Sequence, residues 1–327
     1  MKYFNKTIIH FLLLGIAVFG LYWQTTDYEF VLDDKIVITD NSFVKKGLDG
    51  IADIFRNDSM NGFLGKENNL LQGGRYRPLS LIVFATVYEF AELNPFHFHL
   101  LNIIFYLACC ILLYLTLIRL FDFSEKEKIK LSPFVFLAAL LFTIHPIHTE
   151  VVANIKGLDE ILAFLFGTAA FLFTLVYFDT KKIIHTILGS IFLLLGLLAK
   201  ESTLPLVVAI PISLYFFRNS SLKIVFRYFL ILLIPTIIYL VIRYNAMGFL
   251  FINDVNITGI MNNPYINTSG SEKAGTILFT LLLYLKLLFL PHPLTHDYYP
   301  YHIKLHELYH PLSLLAFLII ALSLIHI

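Results

Sequence analysis

The feature that most limits what this chain can fold into is its succession of long apolar runs, with the charges confined to the gaps between them. Inside a bilayer only helices and closed barrels satisfy every backbone polar group. Runs approaching the ~20 residues that cross hydrocarbon point to helices. Charged residues are 14% of the chain, against about 25% in a soluble domain, and mean hydropathy is +0.76. The expected fold is an all-α integral membrane protein, a multispanning bundle of about 8–10 helices with a long outer first loop. A formal net charge of +1 excludes the basic face that a nucleic-acid partner needs. Cys109 and Cys110 are adjacent inside an apolar run and read as small core residues.

Lys2 and Lys6 precede the run Thr7–Trp23, and Gln24-Thr25-Thr26-Asp27 makes a poor cleavage site. Residues 1–23 therefore read as a retained first transmembrane helix rather than a signal peptide. Residues 24–96 form a long outer loop with interfacial helices, one at Ile51–Phe55 and one over 79–92. Arg77-Pro78 opens the second, with proline at the first helical position. Spans follow near 97–118, 131–147, 161–178, 183–199, 203–217 and 224–243, giving a transmembrane bundle over 97–243. Residues 244–310 read as an outer loop and a short helix around Lys286. The last run, 311–327, is shorter than a span and reads as a truncated transmembrane helix.

The short connections sort by charge. Lys2/Lys6, Arg119 with Lys126, Lys128 and Lys130, Lys181/Lys182, and Arg218/Lys223 fall on alternate loops. The positive-inside rule assigns these, and the N-terminus, to the cytoplasm. The loop with Asp33-Asp34, the stretch His145–Glu160, Lys200-Glu201 and residues 244–273 then face outward, to periplasm or lumen. Every unusual ionisable cluster lands on one side.

Asp33 and Asp34 lie just past a membrane segment, where adjacent carboxylates suggest function; a solvated turn is the plainer reading. In His145-Pro146-Ile147-His148-Thr149-Glu150, His145 and His148 would share a face if helical. With Glu150 they could hold a divalent cation, donate hydrogen bonds to an anionic head group, or be merely interfacial. Asp159 and Glu160 open a span, where carboxylates also suit the helix dipole. Lys200-Glu201 is a snorkelling ion pair or a cation aimed at phosphate. Arg75 and Arg77 flank Tyr76 and suit bidentate phosphate contacts.

Carboxylates and cations on one face beside lipid fit a reaction on a lipid-linked phosphate. The cations stabilise charge on the departing phosphate, and a carboxylate takes the proton of the incoming nucleophile. A transporter would instead place charges near the midplane, on broken helices in paired halves, and the chain shows no internal repeat. A transporter or flippase of lipid-linked sugars is the rival reading, and a non-catalytic membrane anchor a third.

The order FVLDD, RYRPLS, NPFHFHLLN, HPIHTEVV, KGLDE, AKES, NNPY and YLKLLFLPHPLTHDYYPY resembles the transmembrane and tetratricopeptide-repeat (TMTC) proteins. That family belongs to the GT-C superfamily of polyprenyl-phosphate-sugar-dependent glycosyltransferases. The likeness runs from about residue 28 to 305. HPIHTE with LPHPLTHDYYPY is its specific part. The resemblance implies a multispanning helical fold with a catalytic first loop outside the cytosol. It implies transfer of a sugar, mannose, from a polyprenyl-phosphate carrier to a Ser or Thr hydroxyl of a protein acceptor.

By position, the resemblance makes Asp33 and Asp34 the acidic catalytic motif. Arg77, His145, His148, Glu150, Asp159, Lys200 and Glu201 match its other motif blocks. Two departures stand out: Lys156-Gly157-Leu158-Asp159 replaces the family's Gly-Arg-x-Asp, displacing its basic residue, and the family's C-terminal repeats are missing. The expected mechanism is a single inverting displacement with Asp34 as general base. Arg75, Arg77, His145, His148 and Lys200 would hold the departing phosphate. The only cofactor this reading allows is a divalent cation.

Overall fold

A computed structural model describes residues 2–65, 74–121, 125–250, 260, 263–295, 298 and 302–325. Of the motif residues, Gly73, Asn262, His296, Asp297, Tyr299, Pro300 and Tyr301 lie outside these, as do the terminal His326 and Ile327. Every regular element among the described residues is helical. Ten helices have thirteen residues or more: α1 (Lys2–Tyr22), α4 (Pro78–Ala91), α5 (Pro95–Leu120), α6 (Glu125–Thr143), α8 (Leu158–Thr180), α9 (Ile183–Ala199), α10 (Leu206–Arg218), α11 (Leu222–Met247), α12 (Gly270–Phe289) and α13 (Pro311–Ile325). The short α2 (Ile51–Arg56), α3 (Asn61–Leu64) and α7 (Thr149–Ala153) complete the set. The protein is an all-α, multispanning integral membrane protein.

Among the described residues four segments are long and apolar enough to cross a bilayer: Thr7–Asp27, Pro95–Leu120, Ile155–Thr180 and Leu222–Met247. The bent pair Ser132–Thr143 with Pro146–Ala153 makes a fifth if taken as one span. That pair corrects the expectation of a single span over 131–147, because the chain turns by 45° at its break. The break falls at Ile144-His145, ahead of Pro146, which has no N–H to continue the helical ladder. The expected span at 203–217 is a 13-residue helix, about 20 Å long at 1.5 Å per residue, too short to cross alone.

The chain divides into two units. The first comprises Met1–Asn68 with Gly73–Ile252. Its helices start where the local chemistry says they should: at α5 the Asn94 side chain accepts the Phe96 N–H and Pro95 takes the first helical position. Helices α8 and α9 pack closely through small residues. A Cβ at Gly189 would lie 3.3 Å from the Ala170 carbonyl oxygen, the close backbone approach that holds membrane helices together. Ile8, Leu12 and Ile16 leave an exposed apolar stripe on α1, suited to lipid.

Residues 23–64 are a folded cap rather than a loose loop. Ile38, Val44 and Ile54 are buried there with Leu81 and Phe84 of α4, each contributing about 1.5–3 kcal/mol. Fully buried Asn41 organises the cap. Its amide donates to the Ile36 and Ser59 carbonyls, and its Oδ1 accepts the Phe43 and Val44 N–H groups.

The second unit comprises Asn69–Gln72 with Asn253–Ile327. Its helix α12 starts in a capping box, Ser269 with Glu272, and packs against α13. Ser313 Oγ donates to the Gly275 carbonyl at 2.9 Å.

Candidate active site

In the first unit the N-termini of α4 and α8, the C-terminus of α9 and the loop 28–37 meet. The loop reverses at Leu32, whose φ of 47° is a left-handed conformation unusual for a branched side chain. The reversal sends the two acids to different places. Asp34 is fully buried. Its Oδ2 accepts the Val31 N–H and its Oδ1 the Lys156 N–H, each at 2.9 Å. Burial pushes the Asp34 carboxyl above the usual range, against those two N–H groups, and neighbouring Asp33 adds to the rise. Asp33 keeps 48% of its side chain exposed, with Lys156 Nζ 3.8 Å away.

Arg77 caps the other side. Its Nη1 donates to Asp159 Oδ2 at 2.7 Å; Nη2 and Nε form a fork on Glu201 at 2.7 and 3.2 Å. Burial alone would lower the Arg77 pKa, but the two carboxylates raise it overall. Burial likewise pushes Glu201 up, and Arg77 outweighs it, holding that carboxyl below the usual range. Lys200 pairs with Glu160 and lies 3.7 Å from Asp159. Asp159, 3% exposed, thus sits among Arg77, Lys156 and Lys200. Its Oδ1 makes no hydrogen bond, a buried acceptor left open.

Asp33, Arg77, Lys156 and Asp159 line a cleft of about 30 Å³ together with Ser59 and Arg75, whereas Asp34, Lys200 and Glu201 do not line it. That is room for one water-sized group. Arg75 anchors through its backbone, its N–H donating to Asp58 Oδ2 at 2.7 Å. Its guanidinium has no carboxylate partner among the described residues. Arg77 and Lys200 are held by carboxylates, so among the described residues of the cleft Arg75 is the cation without a carboxylate partner.

The expected histidine cluster forms a different feature. His145 caps a 3₁₀ turn, its Nδ1 accepting the Ile147 N–H at 3.2 Å. His148 lies against Phe142, ring centroids 4.3 Å apart. Glu150 is exposed. None of the three lines the cleft. His145 and His148 do share a face: the turn is 3₁₀, which brings residues three apart over one another, and the two ring centroids lie 6.1 Å apart. Among the described residues no three His, Cys, Asp or Glu side chains are grouped to hold a metal. Each Asp34 oxygen spends one acceptor site on a backbone N–H.

Three contributors lie outside the residues matched to the family's motif blocks. Lys156 supplies both a backbone N–H to Asp34 and an ammonium facing Asp33. Glu160 pairs with Lys200. Ser59 Oγ accepts the Arg77 N–H at 3.0 Å. The run Lys156–Glu160 carried the signal for the first two, since a cation stood three residues before an acid at a helix start. Ser59 carried none.

Against known proteins, the chain is 34% identical over 161 residues to the human protein O-mannosyl-transferase TMTC3, 49% of this chain and 16% of that protein. It is 38% identical over 154 residues to human protein O-mannosyl-transferase TMTC1, 46% and 16%. It is 30% identical over 180 residues to Drosophila melanogaster protein O-mannosyl-transferase Tmtc3, 51% and 19%. Over about half its length the chain is TMTC-like. The TMTC-like match spans about a sixth of the human relatives' length. No family model matches the chain, and no solved structure matches it.

Proposed function

We propose that this protein is a membrane glycosyltransferase of the GT-C type. It moves mannose from a polyprenyl-phosphate carrier to a Ser or Thr hydroxyl of a protein, at the outer face of the membrane. The observation that carries the reading is that half-exposed Asp33 and Arg75, whose guanidinium has no carboxylate partner among the described residues, line the same cleft. The names of the relatives above supply the sugar and the acceptor class.

The reaction needs a base near the acceptor hydroxyl and a cation near the leaving phosphate. Asp33 is the proposed base, in place of Asp34, whose oxygens each accept a backbone N–H. The acceptor oxygen forms a bond to the anomeric carbon, and the bond from that carbon to the phosphate oxygen breaks. The proton passes to Asp33 and the electron pair leaves with polyprenyl phosphate. Displacement in one step inverts the anomeric centre, with an oxocarbenium-like transition state as in inverting hydrolysis. Arg75 and Lys156 balance the charge on the phosphate. Asp159 Oδ1 accepts a sugar hydroxyl.

A transporter would be expected to carry ionisable groups at mid-membrane. The middle thirds of α5, α8 and α11 contain no Asp, Glu, Lys or Arg.

The test is transfer of labelled mannose from polyprenyl-phosphate mannose to a Ser/Thr peptide. Asp33→Asn should cost about 10²–10⁴-fold in rate with an unchanged melting temperature. Asp34→Asn should lower stability by about 1–3 kcal/mol by losing one backbone hydrogen bond, while activity per folded molecule persists. Full activity in Asp33→Asn overturns the assignment.

A further inference from the structure

In the second unit the segment 302–310 lies across α12. The Thr276 Oγ1 accepts the His306 N–H at 3.0 Å. A Cβ at Gly275 would stand 2.3 Å from the His306 carbonyl oxygen, so only glycine permits the approach. Two adjoining cavities of about 340 and 200 Å³ open along this seam and share Leu283, Leu287, Tyr298 and Ile303. The larger falls in the range of small-molecule pockets, roughly 300–1,000 Å³.

Its walls divide by chemistry. Leu283, Leu287 and Ile303 are apolar, while Lys286, His302, Lys304 and His306 supply the cations and donors. Neither lysine has an ion-pair partner among the described residues. The described carboxylates of this unit are Glu272 and Glu307, neither of which lines the cavity, and Glu272 is spent on the capping box. The excess of positive charge is felt by His306, which burial, then His310 and Lys304, push below its ordinary range. Lys286 stands exposed in an otherwise apolar helical run, Leu281–Phe289, where its stem covers apolar surface and its ammonium reaches a polar boundary.

We propose that this cavity binds an amphiphile with a phosphate head: Lys286 and Lys304 with His302 hold the phosphate, and Leu283, Leu287 and Ile303 hold the first part of its hydrocarbon tail. An isoprenoid phosphate and a bilayer phospholipid share this chemistry. The proposal concerns binding alone and does not depend on the transfer reaction.

The experiment uses the full chain in phosphatidylcholine nanodiscs, with farnesyl phosphate as probe and bound copies counted by native mass spectrometry. One saturable copy should disappear, or weaken at least about tenfold, in the double variant Lys286→Gln, Lys304→Gln. Lys223→Gln should leave it in place. Melting curves of the double variant should match the parent, since both lysines are exposed. Competition by phosphatidylglycerol identifies a bilayer lipid as the occupant, and indifference to it an isoprenoid phosphate; both uphold the site. Three results overturn it: unchanged binding in the double variant, farnesol binding as well as farnesyl phosphate, or inorganic phosphate displacing the probe at equal concentration. A chain that transfers no sugar but passes these tests would refute the transferase reading and leave this one standing.

Discussion

Arg77 is the most committed side chain in the first unit. Its guanidinium serves Asp159 and Glu201 at once, and only 14% of it is exposed. Removing one member of a buried charge pair strands the other, at a cost of about 3–5 kcal/mol. Arg77→Met should therefore destabilise the protein by that amount in chemical unfolding from mixed micelles. Adding Asp159→Asn should recover about 1 kcal/mol or more, because neighbours in one network are not additive; strict additivity would show that the two do not interact. Sequence placed Arg75 and Arg77 together as phosphate ligands. It could not separate them, because spacing says nothing about which guanidinium already faces an acid 82 or 124 residues away. Asp33 and Asp34 posed the same difficulty. Adjacent acids look alike until the backbone turns at Leu32, and only then does one face solvent and the other accept two N–H groups.

Among the elements, the single 3₁₀ turn Ile155–Gly157 has the largest influence on the site. It delivers the Lys156 N–H to Asp34 and sets the start of α8, hence Asp159. The turn is tight: a Cβ on Gly157 would lie 2.0 Å from the Val151 carbonyl oxygen. Gly157→Ala should thus shift the turn, weaken the hold on the loop of Asp33, and reduce transfer with little loss of helical circular dichroism. Unchanged activity would show that the turn is not needed at its present position. Helix boundaries were legible beforehand at Arg77-Pro78 and Asn94-Pro95, where proline announced them, but not at Pro146, which breaks the run expected as a single span. The cap 23–64 was not. Its organisation rests on Asn41, and one polar residue in a polar stretch leaves no periodic trace.

At the scale of the molecule, the described charges of the first unit's bundle gather at its two ends. One end is the cleft. At the other, Arg119 Nε meets Asp179 at 2.6 Å, Arg218 Nη2 lies 3.5 Å from the same carboxylate, and Arg218 Nη1 donates to the Leu120 carbonyl. This agrees with the sorting of charges along the sequence, which needs only the rule that cations are retained on the cytoplasmic side. Sidedness can be measured directly, because native Cys109 and Cys110 are buried. Leu32→Cys, at a residue 70% exposed, should react with an impermeant maleimide added outside intact cells. Lys181→Cys should react only after the membrane is opened. The opposite pattern would invert the topology.

Helix α8 joins the two ends, with Asp159 in its first turn and Asp179 in its last. Twenty residues at 1.5 Å per residue separate them by about 30 Å, the thickness of a typical hydrocarbon core. Because both carboxylates are tied to partners on other helices, α8 cannot adjust its tilt alone when the bilayer thickens or thins. Hydrophobic mismatch, which a lone helix absorbs by leaning, is passed here to the ion pairs at either end. Activity at the cleft should therefore vary with the acyl-chain length of the surrounding bilayer, measured in nanodiscs of graded thickness, and a flat profile would show that the ion pairs yield instead.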